Sequence, residues 1–357
     1  MHRPEKITVD DLRRAIDRLP RVPLAHLPTP FEPLPRFSAA LGGPPIWIKR
    51  DDCTGLALGG NKARHNEFLL GHAIEQQAEM LVWGAGVQSN NCRQTAAACA
   101  KLGLACHLVL GSGGHPVEVQ GNLLLDYLLG ATVEIVDLPL GPELYERLAA
   151  KAAEFRARGK RVYSWENEIV KPRAAASYAL CFAEIVEQCQ RERMLPSTIY
   201  VASAGSTAAG LLFAKAALAS EIALRIVAPI RWPWEHAQDL AKTANQLAEL
   251  VALPPLVKAA DVETTLDFIG PGYGQVSPAG QEAFDLMARK EGILLDPVYT
   301  SKALAALIDD VRSGRLPSER PVVFLHTGGT PALFAYRDEL TASGTGTTFA
   351  STSEERA

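Results

Sequence analysis

The chain has 357 residues, 47% of them hydrophobic and 21% charged, and a net charge of −4. This composition excludes a disordered bulk, and the length suits two domains better than one. The slightly acidic balance, without any long Lys/Arg run, argues against nucleic acid or an acidic membrane as a partner and leaves a small-molecule substrate open.

Residues 1–20 read as a capped surface helix, with Thr8 or Asp10 ahead of LRRAIDRL. A Pro-rich connector follows (Pro20, Pro23, Pro28, Pro30, Pro33, Pro35), for which extended chain is expected. IWIKRDD alternates as a strand should. From Asn61 onward, apolar runs alternate with helical patterns. The expected strands are MLVWG, CHLVLG, TVEIVDL, RVYSW, TIYVASAG, LRIVAPI and PVVFLHTGG. Between them lie helices such as SNNCRQTAAACAKLG, QGNLLLDYLLG, ELYERLAAKAAEFRARG, AAASYALCFAEIVEQCQ and STAAGLLFAKAALA. Buried, Val/Ile/Leu-rich strands alternating with helices predict an α/β fold. It has two domains, each a mostly parallel twisted sheet covered by helices, with a cleft between them. The tail TASGTGTTFASTSEERA is poor in apolar residues and is expected to be disordered.

The six cysteines form no CxxC pair, so buried free thiols in a reducing compartment are expected rather than zinc or disulfides. The N-terminus is charged and amphipathic and lacks the apolar core of a signal peptide, and no apolar run reaches bilayer length. A cytoplasmic protein is the expectation.

Three segments could carry chemistry. In TGLALGGNKARHNEFLL, two glycines precede Asn61 and Lys62 at the start of a helix. A lysine there feels the positive helix end, which favours the neutral amine that Schiff-base chemistry needs. A nucleotide P-loop fails on spacing, because Asn61 separates glycine from lysine and Ala63 follows. Taken alone, the turn also reads as a solvated loop lysine. In GVQSNNCRQTAAACAKLGL, Ser89, Asn90 and Asn91 follow a strand and open a helix, which suits either an anion site or an ordinary N-cap. In ASAGSTAAG, Ser203, Ala204, Gly205, Ser206 and Thr207 offer free amides and hydroxyls at a helix start, a cup for a monophosphate. Tyr273 in GPGYGQVSPAG, Tyr299 in DPVYTSKAL and Thr327 in LHTGGTPAL stand in turns or at a strand end, as pocket groups or as packing.

Together these segments resemble the family of 1-aminocyclopropane-1-carboxylate deaminase and D-cysteine desulfhydrase, within the tryptophan-synthase-β-like, fold-type-II group of pyridoxal-phosphate enzymes. The resemblance runs from TPFEPLPRFSAALGGPPIWIKRDD to LHTGGTPALFAY and rests on GGNK, QSNNCRQTAAACAKLG, LLDPVYTSKAL and HTGGTPALFAY. It implies pyridoxal 5′-phosphate held as a Schiff base on Lys62, which afterwards moves protons at the substrate Cα. Asn90 would meet the cofactor 3′-oxygen, Ser203 to Thr207 the phosphate, and Thr327 the pyridine nitrogen. Ser89 and Asn91 would meet the substrate carboxylate, with Ser89 also relaying a proton, and Tyr273 and Tyr299 would flank the substrate. The resemblance also implies a large domain of residues 1–55 and 180–340, a small domain of 56–179, a tail from 341 to 357, and a homodimer.

A hydroxyl at the pyridine nitrogen makes a weaker electron sink than a carboxylate, which disfavours transamination and suits elimination of a Cβ leaving group. The implied reaction is β-elimination and deamination of a small amino acid to a 2-oxo acid and ammonia, as in a D-cysteine desulfhydrase. Cyclopropane deaminases of the family carry Glu directly after the Tyr of DPVY, where this chain has Thr300. A cyclopropane deaminase or an L-cysteate-type lyase is the alternative. A catalytically silent binding module on the same scaffold is the alternative of another class. Departures from the family pattern are His65, in place of a Lys that supports the phosphate region, Asn91–Cys92, and SWENEIVKPRAAASY in place of a Gly-Gly-Ser turn. These predict altered specificity, a weaker or pH-dependent hold on the cofactor, and Trp165, Glu166 and Glu168 beside the cleft.

Overall fold

The computed structural model describes residues 7–341, so all but the first residue of the expected tail lies outside the described residues. Helix α1 (Val9–Ile16) starts at Thr8, whose side chain exchanges hydrogen bonds with Asp11 in a capping box. The Pro-rich connector is not wholly extended, contrary to expectation. It contributes β1 (Phe31–Pro33) and α2 (Pro35–Leu41), the latter opening on a proline, whose missing N–H has no helical acceptor there anyway.

The chain continues through β2 (Ile46–Arg50), α3 (Lys62–Glu75), β3 (Met80–Gly86), α4 (Asn90–Leu102), β4 (Ala105–Gly111) and α5 (Gly121–Leu128). Then follow β5 (Thr132–Val136), α6 (Pro142–Ala157), β6 (Val162–Ser164), α7 (Asn167–Arg191), β7 (Thr198–Ala202) and α8 (Ser206–Ala217). The described chain closes with β8 (Ala223–Val227), α9 (His236–Leu250), β9 (Thr264–Thr265), α10 (Pro278–Glu291), α11 (Thr300–Arg312), β10 (Val322–His326) and α12 (Arg337–Thr341). Helix α7 starts at Asn167, ahead of the expected Ala174, and carries Pro172 within it.

Two sheets form. One has the order β1-β2-β10-β7-β8-β9, with β1 antiparallel and the other pairings parallel; the second, β5-β4-β3-β6, is parallel throughout. The fold is α/β, as expected. The first sheet packs α7, α8 and α9 through a core that includes Phe182, Leu211 and Leu247, and α10 and α11 through one that includes Met287 and Leu304. On the second sheet, Leu70 and Cys99 belong to one core and Leu144 and Leu148 to another. Such covering on both faces explains why inner strands such as β3 and β7 read as apolar runs rather than alternating ones.

The topology places the site. Because β10 inserts between β2 and β7, His326 lies opposite Arg50, and the segments leaving β2, β7 and β10 emerge side by side. Beneath them a buried polar network ties β2, α3 and α7 together: Arg64 meets Asp51 and Glu184, and Lys49 meets Glu184 and Gln188. Five cysteines are buried free thiols, and Cys53 is exposed. Among the described residues, no helix is long and apolar enough to cross a membrane.

Candidate active site

Lys62 is the first residue of α3 and follows a turn in which Gly59 and Gly60 both have positive φ. The turn is pinned on three sides. The Asn61 amide donates to the Thr327 carbonyl (2.9 Å), and Asn61 Nδ2 donates to Thr207 Oγ1 (3.0 Å). From α4, Arg93 donates to the carbonyls of Ala57 and Gly59. A Cβ on Gly328 would sit 2.6 Å from the Gly60 Cα, so the HTGG and GGNK turns approach as closely as they do only because both positions are glycine. Three segments distant in sequence are thereby clamped around one lysine.

The Lys62 amine has no hydrogen-bond partner among the described residues, and burial pulls it down from an ordinary 10.5 to about 8. Lys302 is also pulled down to about 8 by burial, but it donates to the carbonyls of Ile269 (2.7 Å) and Gly272 (3.0 Å). Lys302 therefore holds the turn that carries Tyr273, whereas Lys62 is available to react.

At the start of α8, the amides of Ser206 and Thr207 find no acceptor among the described residues, and a Cβ built on Gly205 would meet open space. Ser203 Oγ accepts from the amides of Gly205 and Ala208, which folds Ala204 into the turn. His65 Nε2 lies 3.1 Å from Thr207 Oγ1. Burial, with Lys62 and Arg64 nearby, holds His65 well below its ordinary value, so it is a neutral partner of this turn.

Thr327 is buried, and its hydroxyl has no partner among the described residues. The neighbouring His326 fixes the turn, with Nδ1 accepting from the Gly328 amide and Nε2 donating to the Leu294 carbonyl. Ser89 is the N-cap of α4 and accepts from the Cys92 amide (3.1 Å), so the capping role is realised while its hydroxyl proton stays free. Asn90 Oδ1 accepts from Asn122, leaving its N–H groups to face elsewhere.

The Tyr273 and Tyr299 hydroxyls are 2.7 Å apart, and both residues line a cleft of about 1810 Å³ together with Gln88 and Ser89. Burial raises both phenols well above their ordinary range, and Tyr145 of α6 is near enough to add to that effect. Asp296 fixes Tyr299: its carboxylate accepts from the amides of Val298, Tyr299 and Thr300 and from the Thr300 hydroxyl. Thr300 thus turns inward to Asp296.

Part of the expectation for SWENEIVKPRAAASY is corrected. Glu166 and Glu168 point outward, paired with Arg156 and Lys242, because charged side chains at this helix start gain more from water and surface cations than from the cleft. Trp165 alone turns inward, edge-on to Trp83 and stacked on Tyr145. Sequence reasoning missed Tyr145, Asn122, Asp296 and Lys302. Of these, only Asp296, before a proline, carried a local turn signal.

Residues 22–328 match the family model described as pyridoxal-phosphate dependent enzyme. The chain belongs to that family. It is 38% identical over 325 residues to a D-cysteine desulfhydrase of Salmonella typhi, covering 90% of this chain and 97% of the relative. To a D-cysteine desulfhydrase of Klebsiella pneumoniae it is 39% identical over 336 residues, covering 91% and 98%. Among solved structures, an ACC deaminase homologue superposes with a TM-score of 0.85 at 32% identity, covering 96% of this chain and 99% of that one. The fold is shared with a diaminopropionate ammonia lyase of Escherichia coli at a TM-score of 0.68 and 15% identity, over 95% and 94% of the two chains.

The residues present fit the family's cofactor, pyridoxal phosphate. The unpartnered amides of Ser206 and Thr207 under open space suit a phosphate at a helix start. Lys62 offers an unpartnered amine, and Thr327 an unpartnered hydroxyl. Since only the neutral amine reacts, capture of pyridoxal phosphate by the apoprotein should accelerate with rising pH around a midpoint near 8. Stopped-flow absorbance would read this rate, and a midpoint at the ordinary 10.5 would contradict the burial of the amine.

Proposed function

We propose that this enzyme catalyses β-elimination from a small amino acid, foremost D-cysteine, giving sulfide, a 2-oxo acid and ammonia. The observation that carries the proposal is the convergence on Lys62, an unpartnered amine whose turn is clamped between a helix start with free amides and the HTGG turn. Relatives called D-cysteine desulfhydrase support the choice of substrate.

When bound, the cofactor supplies the electron sink that lets the substrate Cα lose a proton. Lys62 holds the cofactor and then takes the Cα proton, for which an amine lowered to about 8 is suited near neutral pH. Ser203 to Thr207 would hold the phosphate, Asn90 the 3′-oxygen, and Thr327 the pyridine nitrogen. Ser89 and Asn91 receive the substrate carboxylate, and the Ser89 hydroxyl passes a proton. Tyr273 and Tyr299, kept as phenols by burial, flank the substrate and can donate to the departing group. Thr300, committed to Asp296, places no acid beside Tyr299, which supports elimination over cyclopropane opening. The proposal includes a cytoplasmic homodimer, with residues 56–179 as the small domain against 1–55 and 180–340.

The test is a panel of D- and L-amino acids assayed for 2-oxo acid and sulfide. D-cysteine should release both in equal amounts. Release of 2-oxo acid from 1-aminocyclopropane-1-carboxylate or L-cysteate alone would move the assignment to those alternatives. A protein that binds cofactor and turns over nothing in the panel would overturn the lyase proposal.

A further inference from the structure

Asn122, in the first turn of α5, is fully buried and belongs to a chain of three amides that reaches the cofactor side of α4. Its side-chain Nδ2 donates to the Gln88 main-chain carbonyl (2.9 Å) and to Asn90 Oδ1 (2.9 Å). Its backbone amide donates to Gln88 Oε1 (2.9 Å), and Gln88 Nε2 donates to the Gln120 carbonyl (3.1 Å).

The orientation of every amide in this chain is forced. A primary amide can rotate by half a turn and exchange oxygen for nitrogen, so its orientation is fixed only by partners that cannot exchange roles. Gln88 is held between a main-chain N–H and a main-chain carbonyl, neither of which can. Asn122 faces the main-chain carbonyl of Gln88 and must present its NH₂ there. The same NH₂ then demands the oxygen of Asn90, whose own NH₂ is left facing the other way. Gly121 locks the arrangement, since a Cβ there would fall 2.5 Å from Gln88 Oε1 and 3.1 Å from the Pro331 carbonyl.

We infer that Asn122, anchored by Gln88, is a positioning residue that fixes Asn90 as a hydrogen-bond donor to the 3′-oxygen of pyridoxal phosphate. This rests on the assignment of Asn90 to that oxygen. An Asn90 free to turn over would set its carbonyl against an oxygen that carries negative charge, exchanging a charge-assisted bond for a repulsion. Asn122 is fully buried, and its side chain's hydrogen-bond partners among the described residues are Gln88 and Asn90. Its influence passes entirely through the orientation of Asn90.

The test compares Asn122→Asp, Asn122→Ser, Asn90→Ala and the Asn90→Ala/Asn122→Asp double variant, each checked for folding by thermal melting. Asn122→Asp replaces the donor facing Asn90 with a group that attracts its NH₂, and Asn122→Ser releases the amide without adding charge. Two readouts are taken: affinity of the apoprotein for pyridoxal phosphate, and the visible band of the bound cofactor with the pH at which it changes. Both Asn122 variants should bind cofactor roughly tenfold to a hundredfold more weakly, the range of one charge-assisted hydrogen bond. They should displace the band's pH dependence in the same direction as Asn90→Ala. The double variant should be no worse than Asn90→Ala alone, because the two residues act through one bond. A buried residue with only a structural role would lower the melting temperature without moving the band, and that result overturns the inference. If Asn90→Ala alters affinity and band while both Asn122 variants leave them unchanged, the positioning role fails and the Asn90 assignment stands. If Asn90→Ala itself changes neither, the assignment of Asn90 fails, and this inference with it.

Discussion

Replacing Lys62 with Ala is expected to reduce turnover by about 10²–10⁴-fold or more, the range that a positioned proton-transfer group alone supplies. The variant should also lose the visible absorbance of lysine-bound pyridoxal phosphate. Two lysines are pulled down to about 8 by burial, so a lowered amine does not by itself select the reacting residue. Partners do. Lys302 spends two of its donors on the carbonyls of Ile269 and Gly272, and breaking those bonds would release the turn bearing Tyr273. Lys62 has no such commitment and sits where the segments following β2, β7 and β10 meet. Borohydride reduction of the wild-type holoenzyme, followed by peptide mapping, should find the adduct on Lys62. An adduct on Lys302 would refute the assignment, as would full turnover by Lys62→Ala.

Replacing Arg64 with Met should destabilise the protein by about 3–5 kcal/mol, because it leaves buried carboxylates without their partner. Arg64 Nε and Nη2 donate to Asp51 (2.8 and 2.9 Å), and Nη1 donates to Glu184 (3.0 Å), all within the interior. Thr29, Tyr178 and Lys49 complete the shell. Burial by itself would raise the carboxyls of Asp51 and Glu184. The charges of Arg64 and Lys49 outweigh it and hold both below their ordinary values. Groups lowered in this way contribute stability that is full above the unfolded carboxylate values, roughly 4. It is lost as pH falls through the folded ones. Chemical denaturation across pH should therefore show wild type losing this contribution as pH falls below about 4. The deficit of Arg64→Met against wild type should be full near neutral pH and shrink on the acid side, where protonation relieves its unpaired buried carboxylates. Equal denaturation midpoints for the two proteins would show that the network carries no such load.

Much of the fold could be read directly from sequence. Runs such as MLVWG and CHLVLG are apolar on both faces, and that pattern belongs to parallel strands covered by helices. The connector through Pro33 and Pro35 was harder. Prolines signal broken helices, but Pro35 occupies the one helical position that needs no N–H. The outward turn of Glu166 and Glu168 likewise depended on where Arg156 and Lys242 came to lie.

The candidate site divides in the same way. Lys62, Ser203 to Thr207 and Thr327 stand in turns whose glycines and small hydroxyl residues mark them locally. Asn122 and Lys302 look like ordinary helix residues, and nothing near them in the chain tells them apart. Sequence alone determined the α/β pattern and marked the turns proposed to carry chemistry, because backbone freedom and hydrophobic period are local properties. Tertiary structure alone decided which of the two lysines lowered by burial keeps a free amine and which way the Asn90 amide faces. Both depend on hydrogen-bond partners supplied by segments far away in the chain.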